Sequence, residues 1–422
     1  MRRYEPWFEL EESHRENCRR DAPHHGSHLQ GAGQGPRSGD HVGRPAGRQG
    51  AIDEGDAVAQ RGRSKCVGIK GQVSEKEPAL CIPSATREFF DCRVETYSAA
   101  MNKKRHHYIP KSYLKFFCDE AGQVRVYRKD DPGKVIQLSP DNVGFHKYYY
   151  SQPRPDGWKD HNALEDCFSS MEDKWPGIVE RLHRRENVND SLEEIFQFMA
   201  LQRARVPASR DVTERIHAEG VMAVARRLDA EGKLSPKPEG LEDILDHVEV
   251  SINPHQSIHA MVAVMQATGQ VFNQVGFYAT HNKTDVPFLT SDNPVIWLDP
   301  SVQDTDLRPY VLQPDGPVVL LFPVSPSLII YGHSSWRDRF VSEGLGIADL
   351  SDTGLVEMIN RQVCRFGSQA IFAQKEGQER LIREHAELSP TIRFDRIGAG
   401  EDESVVFEMV FGKRERKPKW VE

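Results

Sequence analysis

The feature that most restricts the fold is a change of hydrophobic period near residue 275. Before it, apolar residues recur at helical spacing. Leu164, Phe168, Met171, Trp175, Ile178 and Leu182 step by four and three residues, one stripe along a helix that begins at Asn162. Pro176 lies inside the stripe, where a proline kinks a helix or divides it in two. A second helix is expected from Asp190-Ser191, because Ser191 and Glu194 have capping-box spacing. Its run Ile195, Phe196, Phe198, Met199, Ala200 and Leu201 leaves hardly a polar side, so it should be buried until Pro207 ends it. Helices over 209–229, 241–248 and 256–274 follow, with Pro236-Lys237-Pro238 as a break. After residue 275 the runs shorten to strands at 275–279, 288–290, 295–298, 318–322 and 328–331, the last two forming a hairpin around Pro323 to Ser327. A helix over 353–364, a strand over 370–373, a helix over 378–386 and strands near Ile392 and Val405 complete the pattern. Helices in the middle and strands after them specify an α+β fold, a helical section packed with a largely antiparallel sheet.

The folded part opens at His106-His107-Tyr108-Ile109-Pro110-Lys111-Ser112-Tyr113-Leu114-Lys115-Phe116-Phe117. Pro110 pushes Ile109 out of the helical region, so the two histidines lie on extended chain. Neighbouring side chains then point to opposite faces, and only one imidazole can face a given site. A short helix after Pro110 puts Tyr113, Leu114 and Phe117 on one face. Runs at 124–127 and 135–138, with Asp131-Pro132-Gly133 between them, predict a hairpin. Tyr148-Tyr149-Tyr150 reads as a further strand end with a packing role.

Residues 1–100 have a different character. From His24 to Arg63, Gly, Arg, His, Ala and Pro dominate, with almost no large aliphatic residue to offset the entropy of ordering. A disordered or over-extended segment is expected, with Met101 as the physiological start, a single domain over 101–411 and a charged tail over 412–422. Removing residues 1–100 should leave the melting temperature unchanged; a clear drop would show that the segment docks. The net charge of −8 argues against a general nucleic-acid coat. Seven cysteines without a C-x-x-C pair argue against a zinc knuckle or a complete disulfide set, so reduced thiols in a cytoplasmic setting are expected. No apolar run approaches the length of a membrane span.

The opening His-His-Tyr-x-Pro-x-x-Tyr-Leu-x-x-Phe resembles that of the bacterial family catalogued as domain of unknown function family 4238. Phe198-Met199-Ala200-Leu201-Gln202-Arg203, Phe288-Leu289-Thr290-Ser291-Asp292-Asn293-Pro294 and Phe322-Pro323-Val324-Ser325-Pro326 are similar to further stretches of that family, in the same order. The resemblance implies a family and no reaction.

Phosphate-loop, dinucleotide, zincin and nucleophile-elbow motifs are absent. His106-His107 with Asn142 and His146 fits an HNH nuclease poorly, because a helix stands where that motif needs a glycine-rich turn. Candidate catalytic residues are therefore His106, His107, Asp292 and Glu165. An imidazole titrates near neutrality, Asp292 sits in a polar break between strand segments, and Glu165 borders an apolar stripe. Candidate substrate-binding residues are Arg203, Gln202, Asn293 and Ser291. Arg203, at the end of a buried helix, needs either a structural carboxylate or an anionic ligand. The reading with most chemistry is a hydrolase of phosphodiester or nucleotide-type substrates, using a divalent metal and binding an anionic small molecule or nucleic acid. The alternative is a non-catalytic binding or regulatory protein whose polar cluster is structural. The first requires a histidine within about 8 Å of Asp292, with Arg203 or Glu165 in the same cleft.

Overall fold

The computed structural model describes residues 103–398 and 404–415. The expectations for residues 1–100, for a start at Met101 and for residues 416–422 lie outside the described residues.

Strand β1 (Arg105–His107) pairs antiparallel with β4 (Phe145–Lys147), His106 opposite His146. Helix α1 (Lys111–Leu114) starts directly after Pro110 and runs into a tight turn over Lys115–Phe117. Tyr113, Leu114 and Phe117 are fully buried, as the spacing requires. The predicted hairpin is β2 (Val124–Arg128) with β3 (Val135–Leu138). The three tyrosines are not a strand end: β4 stops at Lys147, and Tyr148 takes a positive φ of 57°, so the chain turns there. A small ribbon, β5 (Gln152–Pro153) with β6 (Lys159–Asp160), precedes the helices.

The long apolar stripe is split between α2 (Ala163–Glu172) and α3 (Trp175–His183). Pro176 occupies the first turn of α3, where its missing N–H costs nothing, so the proline divides the stripe. Helix α4 (Leu192–Arg205) is the buried helix of the sequence pattern. Its capping box does not form. Ser191 Oγ instead accepts from Arg181 Nη1 at 3.1 Å, because that guanidinium gathers Ser191 and Asp190 around itself. Val206 is extended ahead of Pro207, which opens α5 (Pro207–Ala230). The helix expected over 241–248 shrinks to α6 (Ile244–His247), and α7 (Pro254–Phe272) is capped by the Asn253 side chain.

The later strands form a five-stranded sheet in the order β12-β7-β11-β10-β9. These are β7 (Gly276–Asn282), β9 (Ile296–Leu298), β10 (Val319–Ser325), β11 (Leu328–His333) and β12 (Gly346–Leu350). The predicted hairpin is β10 with β11. Strand β12 and helix α8 (Arg337–Glu343) have no counterpart in the sequence reading, and β12 runs parallel to β7. Its Gly-Ile-Ala-Asp-Leu run is too short and mixed for periodicity to identify. Both faces of the sheet are covered, so β10 reads as an unbroken apolar run. Leu320, Phe322 and Val324 enter the core with α1, α3 and α4, while Val319 and Leu321 enter a second core with α9 (Thr353–Phe366). Each such side chain contributes about 1.5–3 kcal/mol on burial.

A second sheet, β3-β2-β13-β8, brings the opening hairpin to β13 (Ala370–Ala373) and β8 (Thr290–Ser291). Helix α10 (Glu379–Glu384) and an antiparallel ribbon, β14 (Ser389–Ile397) with β15 (Ser404–Gly412), follow. The architecture is α+β. The motif stretches singled out above meet at Tyr113. Its hydroxyl lies 2.6 Å from both Thr290 Oγ1 and the Pro323 carbonyl, and its ring stacks on Phe322 and touches Phe198.

Candidate functional site

Strand β1 sorts the opening histidines by face. His106 points inward and is fully buried. Its Nδ1 accepts from the Tyr150 amide at 2.8 Å, so Nε2 carries the proton and donates to the Lys103 carbonyl at 2.9 Å. Burial keeps this imidazole neutral, and both nitrogens are engaged. His107 points the other way and lines a cleft of about 740 Å³ together with Glu165, Glu172 and a rim of Lys103, Lys104, Arg105 and Lys111. The His107 Nε2 is buried without a hydrogen-bond partner. Burial first, then the Lys111 charge, lowers its pKa to about 4.

Glu165 and Glu172 stand seven residues apart on α2, two turns along one face. Glu172 accepts from Arg205 Nη1 at 2.5 Å. Arg205 is fully buried, donates through Nε to the Tyr108 carbonyl at 3.1 Å, and leaves Nη2 unpartnered. Glu165 has no such pair. Burial raises its pKa to about 7, against the pull of Arg205 and with a further push from Glu172. His107 and Glu165 thus share one cleft with opposite protonation tendencies: a neutral base and a proton-holding acid. Arg205 and Glu172 are the residues the sequence reading passed over. The seven-residue spacing of the two glutamates, and a second guanidinium at the end of a buried helix, were the available signals.

The other candidates form a separate inner group. Asp292 is fully buried; its two oxygens accept from the amides of Ser368 and Gln369, each at 2.7 Å. Burial pushes its pKa up, while those amides pull the other way. Ser291 Oγ accepts from the Asn293 amide at 3.2 Å. Asn293 donates to the Tyr310 hydroxyl at 2.7 Å and to the Phe366 carbonyl at 2.8 Å. Gln202 is fully buried with both amide atoms unpartnered. Arg203 lies over the rings of Tyr310 and Trp297 and pairs with no carboxylate among the described residues. A single cleft holding a histidine, Asp292 and Arg203 is not what the chain builds. Asp292 and Arg203 are absent from the lining around His107, because each is anchored by a different strand or helix end facing the interior.

Among the described residues, no group of three or more His, Cys, Asp or Glu side chains is placed to hold a metal ion. None of their helices is long and apolar enough to cross a membrane. Cys118 and Cys364 are free thiols.

The fold and site together define an α+β protein with a basic-rimmed cleft holding an imidazole and a carboxyl group. The profile of a family described as Protein of unknown function (DUF4238) matches residues 105–377, well over half of the 422-residue chain, and the chain belongs to that family. Searches of curated proteins and of solved structures gave no match.

Proposed function

We propose that the cleft around His107 and Glu165 is the active site of a hydrolase acting on phosphodiester or nucleotide-type substrates. The observation that supports this is the split in protonation. His107 is a neutral base whose Nε2 is buried and unpartnered at the wall of the cleft, and Glu165, in the same cleft, holds a proton up to about pH 7. Pairs of titratable groups pushed apart in this way divide the roles of base and acid between them. In the proposed reaction substrate binding opens the buried His107 Nε2 to one water, and that nitrogen takes its proton as the water oxygen bonds to phosphorus. Glu165 gives its proton to the leaving oxygen as the old P–O bond breaks. Lys103, Lys104, Arg105 and Lys111 attract and hold the phosphate. Metal analysis of untagged protein tests whether the divalent cation expected from the sequence is bound. The free thiols of Cys118 and Cys364 fit a cytoplasmic setting.

The pH profile follows with its sign. His107 must be unprotonated, so activity rises above about pH 4; Glu165 must be protonated, so it falls above about pH 7. With bis(p-nitrophenyl) phosphate and a panel of nucleotides, Glu165→Gln should lower turnover by about 10²–10⁴-fold and remove the alkaline limb. Absence of any turnover between those limbs, or equal turnover in wild type, His107→Ala and Glu165→Gln, would overturn the proposal. The Arg205–Glu172 pair and the engaged His106 favour a second reading, a non-catalytic anion-binding protein. On that reading anion binding in the cleft survives Glu165→Gln, and no variant or wild type turns over substrate.

A further inference from the structure

Arg203 has an unusual environment for a guanidinium. Only 8% of the residue is exposed, and neither Nε nor Nη1 has a hydrogen-bond partner. Its cation rests 3.8 Å from the Tyr310 ring centroid and 5.4 Å from that of Trp297. Enclosing a cation without a counter-charge is costly, and cation–π contact returns only part of that cost. Charge is left uncompensated.

The same tyrosine connects Arg203 to a second orphan. Asn293 donates to the Tyr310 hydroxyl, yet its Oδ1 is buried without a donor. Tyr310 is held from three sides. Its hydroxyl also donates to the Val295 carbonyl at 3.2 Å, its carbonyl accepts from Trp297 Nε1 at 3.4 Å, and its backbone takes a positive φ of 63°. Such a conformation is costly for a bulky side chain and is found where surrounding structure imposes it, often at ligand clamps.

We infer that Arg203, Asn293 and Tyr310 form a second ligand site, distinct from the His107 cleft, for a small hydroxy- or amino-carboxylate. The carboxylate pairs with the Arg203 fork, and an O–H or N–H of the same molecule donates to Asn293 Oδ1. The unmet needs on the protein are one positive charge and one acceptor, which a monoanion carrying a donor satisfies together. A phosphate dianion overcompensates the single charge. Water supplies the donor but no charge. None of the three residues lines the cleft around His107, so this site stands or falls independently of the hydrolase reading.

The test is thermal unfolding of the full chain with sodium lactate, acetate or inorganic phosphate, against sodium chloride at matched ionic strength. Calorimetric titration with lactate accompanies it. A saturable rise in melting temperature is expected with lactate, a smaller one with acetate and none with phosphate. Arg203→Met should abolish the lactate response. Should that variant not fold, Arg203→Lys keeps the charge but not the fork, and should weaken lactate binding at least tenfold in calorimetry. No lactate response in the wild-type protein, a response retained in the Arg203 variants, or a larger response to phosphate than to lactate would each overturn the assignment.

Discussion

Tyr113 and Arg205 are each fully buried and each bonded to segments remote in sequence. The Tyr113 hydroxyl lies between Thr290 Oγ1 and the Pro323 carbonyl, both at 2.6 Å. Tyr113→Phe leaves the buried Pro323 carbonyl without its donor and the Thr290 hydroxyl without its acceptor, and should cost about 1–3 kcal/mol in urea unfolding. A loss below about 0.5 kcal/mol, the level of an ordinary surface substitution, would show the bonds to be idle. Removing Glu172 strands a buried Arg205, for which breaking a buried pair sets a scale of about 3–5 kcal/mol. Glu172 is itself 19% exposed, so the lower end is expected, and Arg205→Met alongside Glu172→Leu should recover much of it. Glu165 makes stability depend on pH. Its pKa is raised from 4.5 to about 7 on folding, so its favourable contribution is full below pH 4.5 and is lost as pH rises to about 7. Stability of Glu165→Gln measured against pH should lack that decline; an unchanged slope would mean the carboxyl is not buried as described.

At the scale of elements, β7 depends on one glycine. A Cβ at Gly276 would overlap the Trp336 backbone carbonyl in the turn over Ser334–Trp336, where neither backbone can yield cheaply. Gly276→Ala should therefore lower stability by at least the roughly 1–3 kcal/mol typical of overpacking. A melting temperature equal to wild type would show that β7 and this turn are not in close contact. Helices α2, α3 and α4 place the cleft by the same local logic. Pro176 starts α3 afresh, while the side chains of α2 carry Glu165 and Glu172 to one wall.

For the whole molecule, the family match ends at residue 377, yet the chain beyond it is built into the core. Phe411 of β15 packs on Phe366 at 5.0 Å and lies under Arg365 at 4.4 Å, and Ile392 of β14 is buried. A chain ending at residue 388 should melt at a clearly lower temperature, because it uncovers Phe366 and the end of α9. Wild-type melting of that truncation would mark the ribbon as an independent addition.

The sequence by itself determined most elements of this protein, because periodicity, proline and turn chemistry act within a few residues. The stripe ending at Leu182, its division at Pro176, the buried run before Pro207 and the β10–β11 hairpin are of this kind. The alternation forced by Pro110 even required that only one of His106 and His107 face a site, without saying which. Tertiary structure alone decided that it is His107, that Arg205 and not Arg203 meets a carboxylate, and that Asp292 is held by the Ser368 and Gln369 amides. It also decided the parallel pairing of β12 with β7. Those outcomes join segments up to 77 residues apart, and a polar side chain's need for a partner does not specify where along the chain that partner lies.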